Sequence, residues 1–146
     1  MDDEILLFDA PDNVCFGCSP HNAQGLQLRF VRSGPRRIEC RFSAAPHLAG
    51  QATVVHGGIQ AALLDETMGV AAHMAFPRSD DVPLATAEMQ LHYRRPVPIG
   101  EPITVRAELR RADGPDIYVD GAILSEAGEV LTTAEARWRR LDEARR

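Results

Sequence analysis

Apolar and polar positions alternate with a period of two over most of this chain, and one long stretch breaks the rhythm. Alternation puts successive side chains on opposite faces of an extended strand. It appears in LQLRFVR after Gly25, where Leu26, Leu28, Phe30 and the stem of Arg32 oppose Gln27, Arg29 and Val31, and again in IECRFSA over 38–44. Beyond the middle of the chain it returns four times, in LATAEMQLHY (84–93), PITVRAELRRA (102–112), DIYVDGAILSE (116–126) and VLTTAEARWRRL (130–141). In the second of these, Val105, Ala107 and Leu109 oppose Thr104, Arg106 and Glu108. This is the pattern of an antiparallel sheet with one face on a core and one toward water. The breaks SGPRR, RPVPIGE, DGP and AGE carry Gly or Pro where the chain must turn.

The exception is HGGIQAALLDETMGVAAHM, residues 56–74. It is rich in Ala, Leu, Met, Gln and Glu, strong helix formers, and predicts the one long helix of the chain. Small and apolar residues run nearly all the way round it, so it must be largely enclosed. Two strands, a helix and four strands make an α+β fold, one helix packed on a curved antiparallel sheet of about five to six strands. The 146 residues suit a single domain. Residues 1–24 form an N-terminal arm and loop, since NVCFGCSPHNAQG is dense in Gly, Pro, Asn and Ser, and 142–146 form a frayed tail.

Composition narrows the function. The 45% hydrophobic and 25% charged shares are those of a soluble globular protein. Net charge is −5 and the basic residues are scattered, which argues against nucleic acid as a partner but leaves room for a small anionic ligand. No segment approaches the ~20 apolar residues that span a bilayer, and MDDEILLFDAPDN is acidic where a secretory signal is basic. The expectation is a cytoplasmic protein with no membrane partner. Three cysteines, an odd number, fit reduced thiols. Cys15 and Cys18 form a C-x2-C, with His21 and Cys40 as further donors, enough to count to a zinc site. A second C-x2-C is missing, however, and so is the strand-to-helix setting of a redox pair, so no metal is expected.

The helix carries two adjacent acids that cannot do the same work. At about 100° per residue, Asp65 shares a face with Gly58, Ala61, Ala62, Gly69 and Ala72, all small, whereas Glu66 lies near Ile59, Val70 and His73. Gly69 in a helix interior costs about 1 kcal/mol relative to Ala, so something should come close to the Asp65 face. Gly57 and Gly58 allow a tight turn into the helix, or offer free N–H groups at its positive end to an anion or carbonyl. His56 before them reads as a turn or cap residue as readily as a functional one. Gly57 and Asp65, eight residues apart, stand about 12 Å apart along a helix. A carbonyl-polarising donor and a base or nucleophile must each lie within ~3 Å of one reacting group. One copy cannot assemble that site. Two antiparallel copies about a two-fold axis would bring Gly57 of one to Asp65 of the other.

CFGCSPHNAQGLQLRF, VVHGGIQAALLDETMG and HYRRPVPIGE, in that order over 15–101, resemble the hot-dog-fold acyl-CoA thioesterases of the phenylacetate-pathway (PaaI-like) type. The resemblance implies a central helix wrapped by an antiparallel sheet, homodimers whose sheets join edge to edge and often pair into tetramers, and active sites between subunits. By position it puts the acid on Asp65, the polarising amide on Gly57 and a substrate-positioning His on His56. It puts the hydroxyl of the strand after the helix on Thr86. A polar residue before the helix falls nearest Gln51, with Gly50 as its rival. Substrate contacts are further expected at Gly58 and Glu66, and the CoA phosphates are expected near Arg94 and Arg95, with Arg110, Arg111 and Arg137 as alternatives. The implied reaction is hydrolysis of a small or medium acyl- or aryl-acyl-CoA, with Asp65 as nucleophile or general base. No cofactor is needed, because CoA belongs to the substrate. A hydratase or dehydratase on the same fold and a non-catalytic acyl-CoA-binding domain are the alternatives; the latter wants an appended regulatory module.

Overall fold

The period-two segments become strands and the helix formers become a helix in a computed structural model that describes residues 3–78 and 80–141. The tail expected to fray lies outside the described residues. In chain order the elements are β1 (Glu4–Leu6), β2 (Phe30–Gly34), β3 (Arg37–Ser43), a 3-10 turn (Pro46–Leu48), β4 (Ala49–Gln51), β5 (Val54–Val55), α1 (Gly57–His73), β6 (Leu84–Tyr93), β7 (Pro102–Asp113), β8 (Asp116–Ser125) and β9 (Val130–Arg140). Seven strands form one sheet in the order β1-β2-β3-β7-β8-β9-β6, every neighbouring pair antiparallel. Strands β4 and β5 pair separately. The sheet therefore exceeds the expected five to six strands, because the N-terminal arm adds β1 at its edge.

Strand β2 starts later than the alternation suggested. Gln27 has φ 51, which breaks an extended run. The backbone N–H groups of Leu26 and Leu28 instead donate to Phe16 and Gly17 carbonyls at 2.8 and 2.9 Å. Leu26 and Leu28 remain buried, so the apolar half of the pattern holds while the hydrogen bonds go to the arm.

Helix α1 buries Gln60, Leu63, Leu64, Thr67, Met68, Ala71 and Ala72 against the sheet, a three-and-four spacing that defines one face. Its close approach depends on Gly121 of β8, where a Cβ would stand 2.7 Å from Met68 Sδ. Buried polar groups on this face are all paired. Gln60 Nε2 donates to Val55 O at 3.0 Å and its Oε1 accepts from Thr132 Oγ1 at 2.7 Å, while Thr67 Oγ1 donates to Leu63 O at 2.8 Å. The opposite face, Gly57, Ile59, Ala61, Ala62, Asp65, Glu66, Gly69 and Val70, is only half-buried. One copy of the sheet thus encloses the helix on one side, less than its all-round apolar surface led us to expect.

Strand β6 ends the sheet, pairing with β9 on one side only. Its ten residues leave a long open edge beside the half-buried face of α1. Among the described residues no helix is long and apolar enough to cross a membrane.

Candidate active site

The start of α1 is built by His56. It is the N-cap residue, and its Nδ1 accepts from Gly58 N–H at 2.8 Å. In the neutral ring this fixes the proton on Nε2, which remains available as a donor. The same bond removes the Gly58 N–H from the donors expected at the helix start. The Gly57 N–H donates to no described residue. On its other side Gly57 is met by Tyr93, whose hydroxyl donates to Gly57 O at 2.9 Å. Gly50, not Gln51, lies against His56, where a Cβ would stand 3.2 Å from the His56 Cα. Gln51 is exposed.

Eight residues along the helix, Thr86 Oγ1 donates to Asp65 Oδ1 at 2.7 Å. Thr86 and Tyr93 both reach the helix from β6, although their odd separation should put them on opposite faces of a regular strand. A register shift between Thr86 and Glu88 resolves this, inserting one residue and reversing the parity. Strand β6 therefore touches α1 at both candidate positions, Thr86 at Asp65 and Tyr93 at Gly57. The helix between them is unbroken, so the ~12 Å separation of Gly57 and Asp65 stands.

Half-buried Asp65 opens on a cavity of about 1060 Å³ between the N-terminal arm, the C-terminal half of α1 and residues 76–78 and 80–82. Its apolar lining includes Leu6, Phe8, Val70, Phe76, Val82 and Trp138. The close approach that Gly69 implied is made by Trp138, since a Cβ on Gly69 would stand 3.4 Å from the indole. Gly57 does not line this cavity.

Glu66 is half-buried, on the side of α1 that meets the arm. The loop of the arm folds over it, and the Cys15 thiol donates to Glu66 Oε1 at 3.3 Å. Cys18 is pushed up to about 12, first by burial, with the neighbouring Glu66 carboxylate adding to the effect. Cys40, on β3, is pushed up to about 11 by burial in the sheet core. His21 Nε2 bonds the Asp9 carbonyl at 2.9 Å, so neither His21 nor Cys40 joins the C-x2-C.

The arginines divide by their partners. Arg95 pairs with Glu129, Arg110 with Asp120, and Arg111 with Asp113 while stacking on Tyr118. Arg137 pairs with Glu88 and Asp116, which raises its pKa further. Arg94, next to Tyr93, makes no ion pair among the described residues and only donates through Nε to Thr133 Oγ1 at 3.3 Å. It is thus the expected phosphate contact left with free guanidinium donors.

This arrangement can be compared with known proteins. The thioesterase superfamily profile matches residues 52–132, more than half of the chain. The chain belongs to the thioesterase superfamily. The matched region contains His56, Gly57, Asp65, Thr86 and Tyr93 but not the Cys15 loop. Among relatives, acyl-coenzyme A thioesterase THEM4 of Rattus norvegicus is 31% identical over 77% of this chain and 47% of its own length. THEM4 of Mus musculus is 30% identical over the same shares. The chain thus spans about half the length of the THEM4 proteins it matches. A solved thioesterase superfamily protein shares 28% identity at TM-score 0.74, covering 82% of this chain and 57% of that one. A Bacillus halodurans protein solved with CoA shares 26% identity at TM-score 0.71, covering 81% and 76%. The PaaI protein of the Escherichia coli phenylacetic acid degradation operon matches in fold, with TM-score 0.71 at 14% identity over 80% of this chain and 81% of its own. As a superfamily member with these neighbours, the chain has the helix-on-sheet hot-dog architecture anticipated from its motifs.

Three contacts of this thioesterase superfamily member lay outside the sequence reading. Tyr93 could have been flagged as an aromatic with a polar tip beside two arginines. Trp138 occupies an inward position of an alternating strand, which is a visible signal. The Cys15 to Glu66 contact bridges 51 positions and leaves no local mark.

Proposed function

We propose that this chain hydrolyses acyl-CoA thioesters of small or medium acyl or aryl-acyl groups, in sites shared between two copies. The observation that carries the reading is the hydrogen bond from Thr86 to Asp65 at the mouth of the apolar cavity. Thr86 spends its one proton on Oδ1, which steadies the carboxylate and leaves Oδ2 for chemistry. Its lone pairs remain to accept from a water. The Gly57 N–H at the positive end of α1 of the other copy polarises the thioester carbonyl, and His56 Nε2 supplies a neighbouring donor. Asp65 then attacks the carbonyl carbon or takes a proton from the water that does. The C–S bond breaks and the CoA thiolate leaves with its phosphates toward Arg94, taking up a proton from protonated Asp65 or from solvent, and where Asp65 has attacked, water then hydrolyses the mixed anhydride and frees the carboxylate.

Support comes from several sides. The THEM4 relatives are named acyl-coenzyme A thioesterases, and the Bacillus halodurans neighbour was solved with CoA. A cavity of about 1060 Å³ suits a bound organic group, ligand pockets commonly measuring about 300–1,000 Å³. The open ten-residue edge of β6 and the half-buried small-residue face of α1 favour association of two copies, further pairing into tetramers being compatible. CoA arrives as part of the substrate, and the proposed steps draw only on water and protein groups. Three free cysteines support a reducing compartment such as the cytosol. The Nδ1 of His56 is already occupied by Gly58, which does not favour the Asp/His proton relay of a hydratase.

The test is release of free CoA from a panel of short, medium, long and aromatic acyl-CoAs. At least one should be cleaved, and Asp65→Asn should reduce turnover by about 10²- to 10⁴-fold. Wild-type protein that cleaves none, or Asp65→Asn that cleaves as fast as wild type, would overturn the assignment.

A further inference from the structure

The arm contributes a second convergent group of donor atoms, separate from Asp65 and Thr86. Cys15 Sγ, Cys18 Sγ and a Glu66 carboxylate oxygen lie within 4.8 Å of one another. Their surroundings are organised around the sulfurs. Cys18 N–H donates to Cys15 Sγ at 3.4 Å, and Ser19 N–H to Cys15 O at 3.1 Å, so the C-x2-C is folded into a tight turn with both sulfurs turned to the same side. Asn13 braces both cysteines, accepting from Cys15 N–H at 3.0 Å and donating through Nδ2 to Cys18 Sγ at 3.6 Å. Each sulfur therefore receives an N–H donor, as sulfurs bound to a metal do.

Glu66 reaches this turn only because Gly17 lacks a side chain. A Cβ there would stand 2.6 Å from Glu66 Cγ, Cδ and Oε2. The turn is fixed in place by Leu26 and Leu28, which donate to Phe16 and Gly17 carbonyls, and by buried Ser19, whose hydroxyl donates to Asn13 O at 2.6 Å. Among the described residues no arginine pairs with Glu66, so the carboxylate faces two thiols with no cation beside it. A carboxylate held in this way accepts from one thiol and stands within ligand distance of both sulfurs.

We propose that Cys15, Cys18 and Glu66 bind a thiophilic divalent cation, zinc foremost, with the fourth tetrahedral position open to water. Zinc–sulfur bonds of about 2.3 Å set two sulfurs about 3.8 Å apart in a tetrahedron, inside the 4.8 Å within which the three donor atoms lie. Binding releases the two thiol protons and uses the carboxylate in its ionised form. A second C-x2-C is not needed, because the third ligand comes from the helix. The role is structural: the cation ties the arm to α1 one residue from Asp65 and fixes the wall of the cavity, which Cys18 and Glu66 both line.

The experiment uses the full chain, reduced and stripped of metal, titrated with cobalt(II) and then with zinc(II). Wild type should take up one cobalt per chain with thiolate-to-cobalt charge-transfer absorption, and zinc should displace it. Cys15→Ser and Cys18→Ser should each lose the charge-transfer band or cut affinity severely, Glu66→Gln should weaken binding about tenfold or more, and Cys40→Ser should behave as wild type. The wild-type spectrum needs no variant to fold. Reduced wild type without thiolate–cobalt absorption overturns the site, as does uptake that survives in Cys18→Ser or is unchanged in Glu66→Gln. Neither outcome decides the thioesterase reading, which stands or falls on CoA release by wild type and by Asp65→Asn.

Discussion

A hydroxyl has one proton to give, and Thr86 gives it to Asp65 at 2.7 Å. That bond is charge-assisted and sets the orientation of the carboxylate, and because Thr86 is exposed it acts on the reaction more than on folding. Thr86→Val, which keeps the shape and removes the hydroxyl, should therefore lower kcat about 10- to 100-fold while Thr86→Ser retains most of it. Because Thr86 is exposed, the midpoint of urea unfolding should hardly move in either variant. Steady-state CoA release together with urea melts separates the two effects. The face argument singled out Asp65 from the sequence, and His56 was readable as a cap because a polar residue stood before two glycines. The Thr86 to Asp65 contact was reachable only through family resemblance. It spans 21 positions and depends on a bulge that no residue between Thr86 and Glu88 announces. Gly57 offers a cleaner probe than most backbone donors. It is the first residue of α1, where Pro is tolerated, and His56 before it is extended at φ −53, ψ 136, as a residue before Pro prefers. Gly57→Pro should thus delete the N–H without breaking the helix. Circular dichroism should be unchanged, while CoA release falls about 10²- to 10³-fold.

At the scale of elements, alternation identified all four C-terminal strands to within a residue or so, because each keeps long alternating runs in its antiparallel ladder, broken only by local register shifts. It failed at β1, three residues long and far too short for a period to show, and at 26–29, where Gln27 adopts a left-handed backbone. The helix was legible in length but not in packing, since apolar residues all round α1 met a sheet covering only one face. The junction between helix and sheet supports two predictions. Gly121→Ala would push a Cβ to 2.7 Å from Met68 Sδ and 3.1 Å from Leu64 Cδ2, both side chains fully buried. Overpacking of this kind costs about 1–3 kcal/mol, to be read as a lower urea midpoint at unchanged slope. Cys40 opposes Val105 across β3 and β7, and burial moves its thiol from 9.0 to about 11. Between those values the folded chain keeps a proton that the unfolded chain has released. The stability that Cys40 confers is complete below pH 9.0 and is lost as pH rises toward 11. Cys40→Ala should flatten that part of the alkaline decline in urea melts run from about pH 8 to about pH 11.

For the whole molecule, the decisive geometry is that an unbroken α1 holds Gly57 and Asp65 about 12 Å apart, while β6 leaves its outer edge open beside them. If each site takes Gly57 from one copy and Asp65 from the other, two inactive variants should repair each other. In a mixed dimer of Asp65→Asn and Gly57→Pro, one site combines the intact Gly57 of the first chain with the intact Asp65 of the second, and the other site carries both defects. Half the dimers are mixed after random exchange, and each has one working site out of two, so activity should return to about a quarter of wild type. A site confined to one chain predicts no recovery, since every chain then carries a defect of its own. Light scattering supplies the companion measurement. A monomeric mass at working concentration, or mixing that restores nothing although subunits demonstrably exchange, would refute sharing of the site while leaving the chemistry at Asp65 to stand on its own assay.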